Sequence, residues 1–178
     1  MGCDKALLPL GGKPLIAHLT DQLGPRFDQV LVSAASTDDY AFLGLEVVAD
    51  QQPGMGPLMG IASAVAASRN ERNLVVACDV PEIDLGFAET MLVKAETCDA
   101  VVPVTGPARY ETLLAVYNKS ALPAMLRVLE AGKRRIIEIF PLCRVEFIEL
   151  SAGWYRNINT WEDWERYLAG LGLGACPK

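Results

Sequence analysis

The chain has 178 residues, 51% of them hydrophobic and 21% charged, which excludes a fibrous or largely disordered protein and suffices for one sizeable core without disulfide or metal staples. A formal net charge of -6 excludes a general nucleic-acid-binding surface and leaves room for one focused cationic pocket. Five cysteines with no C-x-x-C pair and a single histidine, His18, exclude a zinc finger or a disulfide scaffold; reduced thiols buried in the strands of a cytoplasmic protein are expected, with no membrane span and no export signal.

Residues 1–15 read MGCDKALLPLGGKPL. Glycines at 2, 11 and 12, one lysine at Lys5 and an apolar run ending at Pro14 describe a loop that delivers a cation and turns into a helix. By itself Lys5 is open to two readings, a phosphate partner or a solvated surface lysine. Leu15, Ile16, Leu19 and Leu23 mark one helix face, with Pro14 in the first turn and Gly24-Pro25 as the stop. His18 on this helix reads as local packing or hydrogen bonding. Residues 28–34 (DQVLVSA) predict a strand buried on both faces, and residues 45–49 predict another. Asp50 ends that second strand, where ligands collect in open parallel sheets, although a turn cap fits the local sequence equally well.

Residues 51–61 (QQPGMGPLMGI) hold Gly54, Gly56 and Gly60 with Pro53 and Pro57. This is a tight loop whose backbone can approach a ligand closely, with Pro57 starting a helix that runs through residue 67. Residues 73–78 predict a buried strand, followed at once by Asp79 and the turn Val80-Pro81. A carboxylate fixed there can hold a divalent cation that bridges phosphate oxygens; an ordinary loop aspartate is the alternative.

A helix over residues 85–95 with a stripe of Phe87, Met91, Leu92 and Ala95 precedes a strand over 98–104, in which Pro103 marks an edge or an end. A loop with Arg109, Tyr110 and Glu111 leads to a strand over 112–117, and a helix over 121–131 closes on Gly132. Lys133, Arg134 and Arg135 read as solvated cations. Residues 143–150 alternate as in a half-exposed strand. Asn157-Ile158-Asn159-Thr160 runs into a terminal helix that opens with a capping box, Thr160 with Asp163, and carries a stripe of Trp161, Trp164 and Leu168. The tryptophans, Trp154 included, read as packing, and residues 171–178 as a flexible C-terminal tail. Strands that alternate with helices predict an α/β domain of three α/β/α layers with a mostly parallel sheet.

Five segments carry a resemblance: D-K-A-L-L-P-L-G-G-K-P-L at 4–15, D-x-x-P-G-x-G-P-L-x-G at 50–60, C-D-V-P at 78–81, E-A-G-K-R-R at 130–135 and N-x-N-T at 157–160. In this order they resemble the nucleotidyltransferases that attach a nucleotide to molybdopterin, the molybdenum cofactor guanylyltransferases. The resemblance implies a Rossmann-like nucleotide-diphospho transferase fold, with residues 1–170 as a single nucleotidyltransferase-like domain. It implies transfer of GMP from GTP to molybdopterin with release of pyrophosphate. Lys5 and Asp79 would then be catalytic, and Asp79 would hold Mg2+ or Mn2+. Lys5, Asp50, Gly54, Gly56, Pro57, Leu58, Gly60 and Asp79 would bind the nucleotide, and Arg134, Asn157 and Asn159 the acceptor.

The family usually carries a proline where Glu111 sits. Ahead of the Asp-Lys it usually carries a buried strand and a Leu-Ala-Gly-Gly loop ending in Arg-Met-Gly, whereas this sequence begins at that Met. A misplaced start, an omitted region and a real loss all fit. Use of CTP or another nucleotide, or a catalytically impaired cofactor-binding protein, are the alternative functions. Hand-over to or from other cofactor-biosynthesis proteins would make chemical sense for so labile a pterin.

Overall fold

The computed structural model describes residues 1–150 and 157–173. In chain order they form β1 (Pro9–Leu10), β2 (Lys13–Pro14), α1 (Leu15–Leu23), β3 (Leu31–Ala34), β4 (Glu46–Ala49), α2 (Pro57–Ala67) and β5 (Arg72–Val76). There follow α3 (Leu85–Lys94), β6 (Ala100–Gly106), β7 (Arg109–Tyr110), β8 (Leu114–Asn118), α4 (Leu122–Glu130), β9 (Val145–Glu149) and α5 (Trp161–Gly170). The chain divides into two compact units, one of Met1–Phe27, Ala77–Asp84 and Ala152–Lys178, the other of Asp28–Val76 and Leu85–Ser151.

In the first unit Gly11 and Gly12 both take positive φ, 54° and 86°, the backbone that a two-residue hairpin turn requires. β1 and β2 therefore pair antiparallel, where the sequence suggested only a loop turning into a helix. Pro14 lies in β2 with an extended backbone and caps α1 from outside, one residue earlier than expected. α1 buries Leu15, Ile16 and Leu19 as its pattern predicts. At the start of α5 the capping box is present: the Asp163 N–H donates to Thr160 Oγ1 at 3.1 Å and the Thr160 N–H to Asp163 Oδ2 at 2.9 Å. Trp164 and Leu168 pack with Leu8, Leu10, Leu15 and Ile158, while Trp161, at the first helical position, falls outside that core and is exposed. Of the expected tail, residues 171–173 close the helix, the Leu173 N–H reaching the Leu168 carbonyl at 3.0 Å. Residues 174–178, Cys176 among them, and Trp154 lie outside the described residues.

In the second unit β3 and β4 run parallel, and a five-stranded sheet has the order β5-β8-β6-β7 with β9 parallel to β6 on its other side. The pairings β5–β8, β6–β8 and β6–β7 are antiparallel, so the sheet is mixed. The connections from β6 through β7 to β8 are too short for a crossover, and only an antiparallel neighbour lies within their reach. Alternate residues of β6 and β8 feed two cores. Ala100, Val102, Ala115 and Tyr117 face a cluster with α2 and α4, and Val101 and Val116 face Met91 and Ala95 of α3 and the turn after it. This is the α/β/α layering predicted.

Two readings of the sequence need correction. β3 is only partly buried, with Val32 inside and Ser33 exposed, because it pairs with β4 alone. None of the four described cysteines sits in a strand: Cys3 is exposed, and Cys98 and Cys143 lie just ahead of β6 and β9, where their thiols donate to the Ala100 and Ile139 carbonyls. Among the described residues no helix is long and apolar enough to cross a membrane.

Candidate active site

Asp4 accepts the Ala6 N–H at 2.9 Å and so starts a short 3-10 turn, Lys5–Leu7, whose Ala6 is fully buried. That turn, anchored by Ala6, carries Lys5. Segment Ala77–Asp84 is clamped by Gln22, which donates to the Pro81 carbonyl at 2.9 Å and accepts the Ile83 N–H at 3.2 Å, and by the buried Val80. Segment 157–159 is pinned by the Ile158 N–H, which donates to the Asp79 carbonyl at 2.8 Å. Three distant stretches thus converge. Lys5 Nζ donates to Asp79 Oδ2 at 3.1 Å and to Asn159 Oδ1 at 2.8 Å. Asn159 is braced in turn by Asp163 Oδ2, which accepts its N–H at 3.1 Å. The next asparagine, Asn157, carries a buried Oδ1 with no hydrogen-bond partner among the described residues.

This trio sets one cation between a carboxylate and an amide oxygen, an arrangement that can meet a charged ligand. An ammonium and a carboxylate, with side chains 29% and 19% exposed, are open enough to meet a ligand and sheltered enough to act strongly on it. Among the described residues no cluster of three or more His, Cys, Asp or Glu side chains is arranged to hold a metal. Mg2+ does not need one, since one or two carboxylates and the phosphates of a substrate complete its shell. The Asp79 carboxylate, which shares the Lys5 ammonium with Asn159 Oδ1, fits that requirement. Neighbouring Cys78 stays a thiol, because burial first, and then the Asp79 and Asp4 charges, push it up.

The other predicted residues belong to the second unit. Asp50 follows β4, its N–H donating to the Ala34 carbonyl of β3 at 3.2 Å, and burial pushes its carboxyl above the ordinary value. Gly60, inside α2, comes close to it: a Cβ there would stand 3.2 Å from Asp50 Oδ1 and 2.9 Å from Ser33 Oγ. Gly54 and Gly56 take φ of 78° and 79°, Pro57 opens α2, and Leu58 is fully buried. Leu58 is thus a core residue beneath the loop. Arg134 Nη1 donates to the Gly54 carbonyl at 3.0 Å, and Lys133 pairs with Glu138 at 2.8 Å, so two of the three cations expected to be solvated have protein partners.

Sequence reading missed Ser33 and Ser63. Ser33 is the third of the four residues of β3, so the strand-end rule that selected Asp50 does not pick it out. Ser63, 2% exposed, accepts the Gln51 N–H at 3.1 Å, and nothing in its local sequence marks it. His18 Nε2 lies against the Leu10 carbonyl, the local hydrogen bond expected of it.

The MobA-like NTP transferase domain family matches residues 1–145. A probable molybdenum cofactor guanylyltransferase from Carboxydothermus hydrogenoformans is 36% identical over 181 residues, covering 97% of this chain and 91% of its own. Among solved structures, the molybdopterin-guanine dinucleotide biosynthesis protein A from Archaeoglobus fulgidus superposes with a TM-score of 0.82 at 24% identity, covering 96% of this chain and 92% of its own. The 2-C-methyl-D-erythritol 4-phosphate cytidylyltransferase from Thermus thermophilus gives 0.74 at 17% identity, covering 95% and 94%. These two likenesses bear on the fold, and the nucleotidyltransferase architecture expected from the sequence is theirs.

Proposed function

The chain belongs to the MobA-like NTP transferase domain family, and from that membership we propose that it transfers GMP from GTP to molybdopterin. A terminal phosphate oxygen of molybdopterin attacks the α-phosphorus of GTP in line. The bond from that phosphorus to the α,β-bridging oxygen breaks, and pyrophosphate leaves with the electron pair. The product is molybdopterin guanine dinucleotide. No covalent nucleophile is needed, so positioning and charge neutralisation carry the chemistry.

One observation carries this reading on the structural side. Asp79 and Asn159, 74 and 154 residues from Lys5 in the chain, both reach its ammonium. Lys5 neutralises charge on the phosphates. Asp79 would hold a divalent cation, Mg2+ in this reading, which would supply charge neutralisation to the phosphates. Asn157 and Asn159 orient the acceptor phosphate with their amides. In the second unit Asp50 accepts hydrogen bonds from a base, and the backbone of Gly54, Gly56 and Gly60 lets it approach. Arg134 offers its remaining N–H groups to an anionic acceptor.

The test is pyrophosphate release from GTP, molybdopterin and Mg2+, with the dinucleotide product identified. Wild-type chain is expected to turn over, and Asp79→Asn to lose about 10²-fold or more. No transfer by the wild type, or unaltered Mg2+-dependent turnover by the variant, would count against the reading.

A further inference from the structure

The loop between Asp50 and α2 is built from residues that do not hold a shape by themselves. Gly54 and Gly56 sit in a backbone region open mainly to glycine, and a glycine-rich segment loses more entropy on ordering than any other. Its shape therefore depends on its tethers. At its start, Gln51 is tied to the buried Ser63 Oγ. At its middle, the Gly54 carbonyl accepts from Arg134 Nη1.

Arg134 is itself held from both sides. α4 ends with Gly132 at φ 73°, the Gly132 N–H donating to the Leu129 carbonyl at 2.9 Å and the Lys133 N–H to the Val128 carbonyl at 3.1 Å, which closes the helix and sets the direction of exit. Lys133 is paired with Glu138, and Ile136 is buried two residues beyond Arg134. α2 and α4 share one core through Leu58, Ile61, Met125 and Val128, so packing sets the span that the guanidinium bridges.

We propose that Arg134 is a positioning residue for the guanine loop, holding residues 51–56 ready for the base through the Gly54 carbonyl before any acceptor arrives. This rests on the guanylyl-transfer reading above and adds a role in the nucleotide step to a residue placed with the acceptor. The bond occupies one of five guanidinium donors, so an anion can still be met by the others. A lysine at 134 brings one mobile point charge in place of a planar fork and holds the carbonyl less well.

The experiment compares wild type, Arg134→Lys and Arg134→Ala without acceptor, by amide hydrogen exchange of the ligand-free chain and by GTP affinity with Mg2+. Arg134→Ala is expected to exchange several-fold faster at residues 51–56 and to bind GTP about five- to tenfold more weakly. Arg134→Lys should fall between, with the ligand-free Tm of both variants within about 2 °C of wild type. Unchanged exchange and unchanged GTP affinity overturn the proposal, even if acceptor KM rises. So does a loss of several degrees in Tm that accompanies faster exchange throughout the second unit, since Arg134 would then be a general stabiliser. Faster exchange confined to residues 51–56 with no GTP binding by the wild type upholds the tether and overturns the guanine reading instead.

Discussion

At the scale of single residues, chemistry and stability separate. The Lys5–Asp79 pair is partly exposed, and such pairs contribute about 1 kcal/mol or less to folding. Lys5→Ala should therefore leave Tm nearly unchanged while turnover falls by about 10²- to 10³-fold, as when a preorganised charge is removed from a phosphoryl centre. Pyrophosphate release read beside a melting curve tests this, and equal loss in both would make Lys5 structural. Gly60 is the converse case. Alanine in a helix interior is favoured by about 1 kcal/mol over glycine, but here its Cβ would push Ser33 and Asp50 aside. Gly60→Ala should then show a Tm close to wild type and GTP affinity reduced several-fold. A variant that binds GTP normally would remove Asp50 and Ser33 from the base site.

At the scale of elements, one carboxylate joins the ends of three strands. Asp99, just ahead of β6, accepts the Arg144 N–H at 2.8 Å and Arg144 Nη2 at 3.1 Å from the residue before β9, and the Ser120 hydroxyl at 2.7 Å from the turn after β8. The Arg144 hydrogen bonds are the main cause that holds its carboxyl at about 2, against an ordinary 3.8. A depressed carboxyl contributes stability that is fully present above its unfolded value and lost as pH falls through the folded one. Asp99→Asn is thus expected to lower Tm by a few degrees above about pH 4, with the gap closing between about pH 4 and pH 2. A gap that does not vary with pH would put the loss down to packing. The sequence marked the strands this clamp joins but not the clamp: Asp99 reads there as one residue of an apolar run, and its partners arrive from 21 and 45 residues away.

At the scale of the whole molecule, ligand linkage offers the broadest check. GTP at about a hundred times its dissociation constant stabilises by about 2.7 kcal/mol, several degrees in Tm for a chain of this size, and CTP and ATP should give much less. A larger shift with CTP would favour the cytidylyl alternative. Sequence by itself determined the alternation of the longer strands and helices, the buried face of α1 and the capping box of α5, and it carries the motifs that name Lys5, Asp50, Gly54, Asp79, Arg134 and Asn159. Each of these depends on residues within a few positions of one another, where period, caps and turn chemistry act. Only the tertiary structure decided what lies far apart in the chain: the antiparallel return of β7 and β8, the meeting of Lys5 with Asp79 and Asn159, the approach of Gly60 to Ser33 and Asp50, and the hold of Arg134 on Gly54. The return of β7 and β8 belongs to a sheet with a core packed on each face, and the polar meetings follow from which groups are left to satisfy one another. No local pattern encodes that outcome.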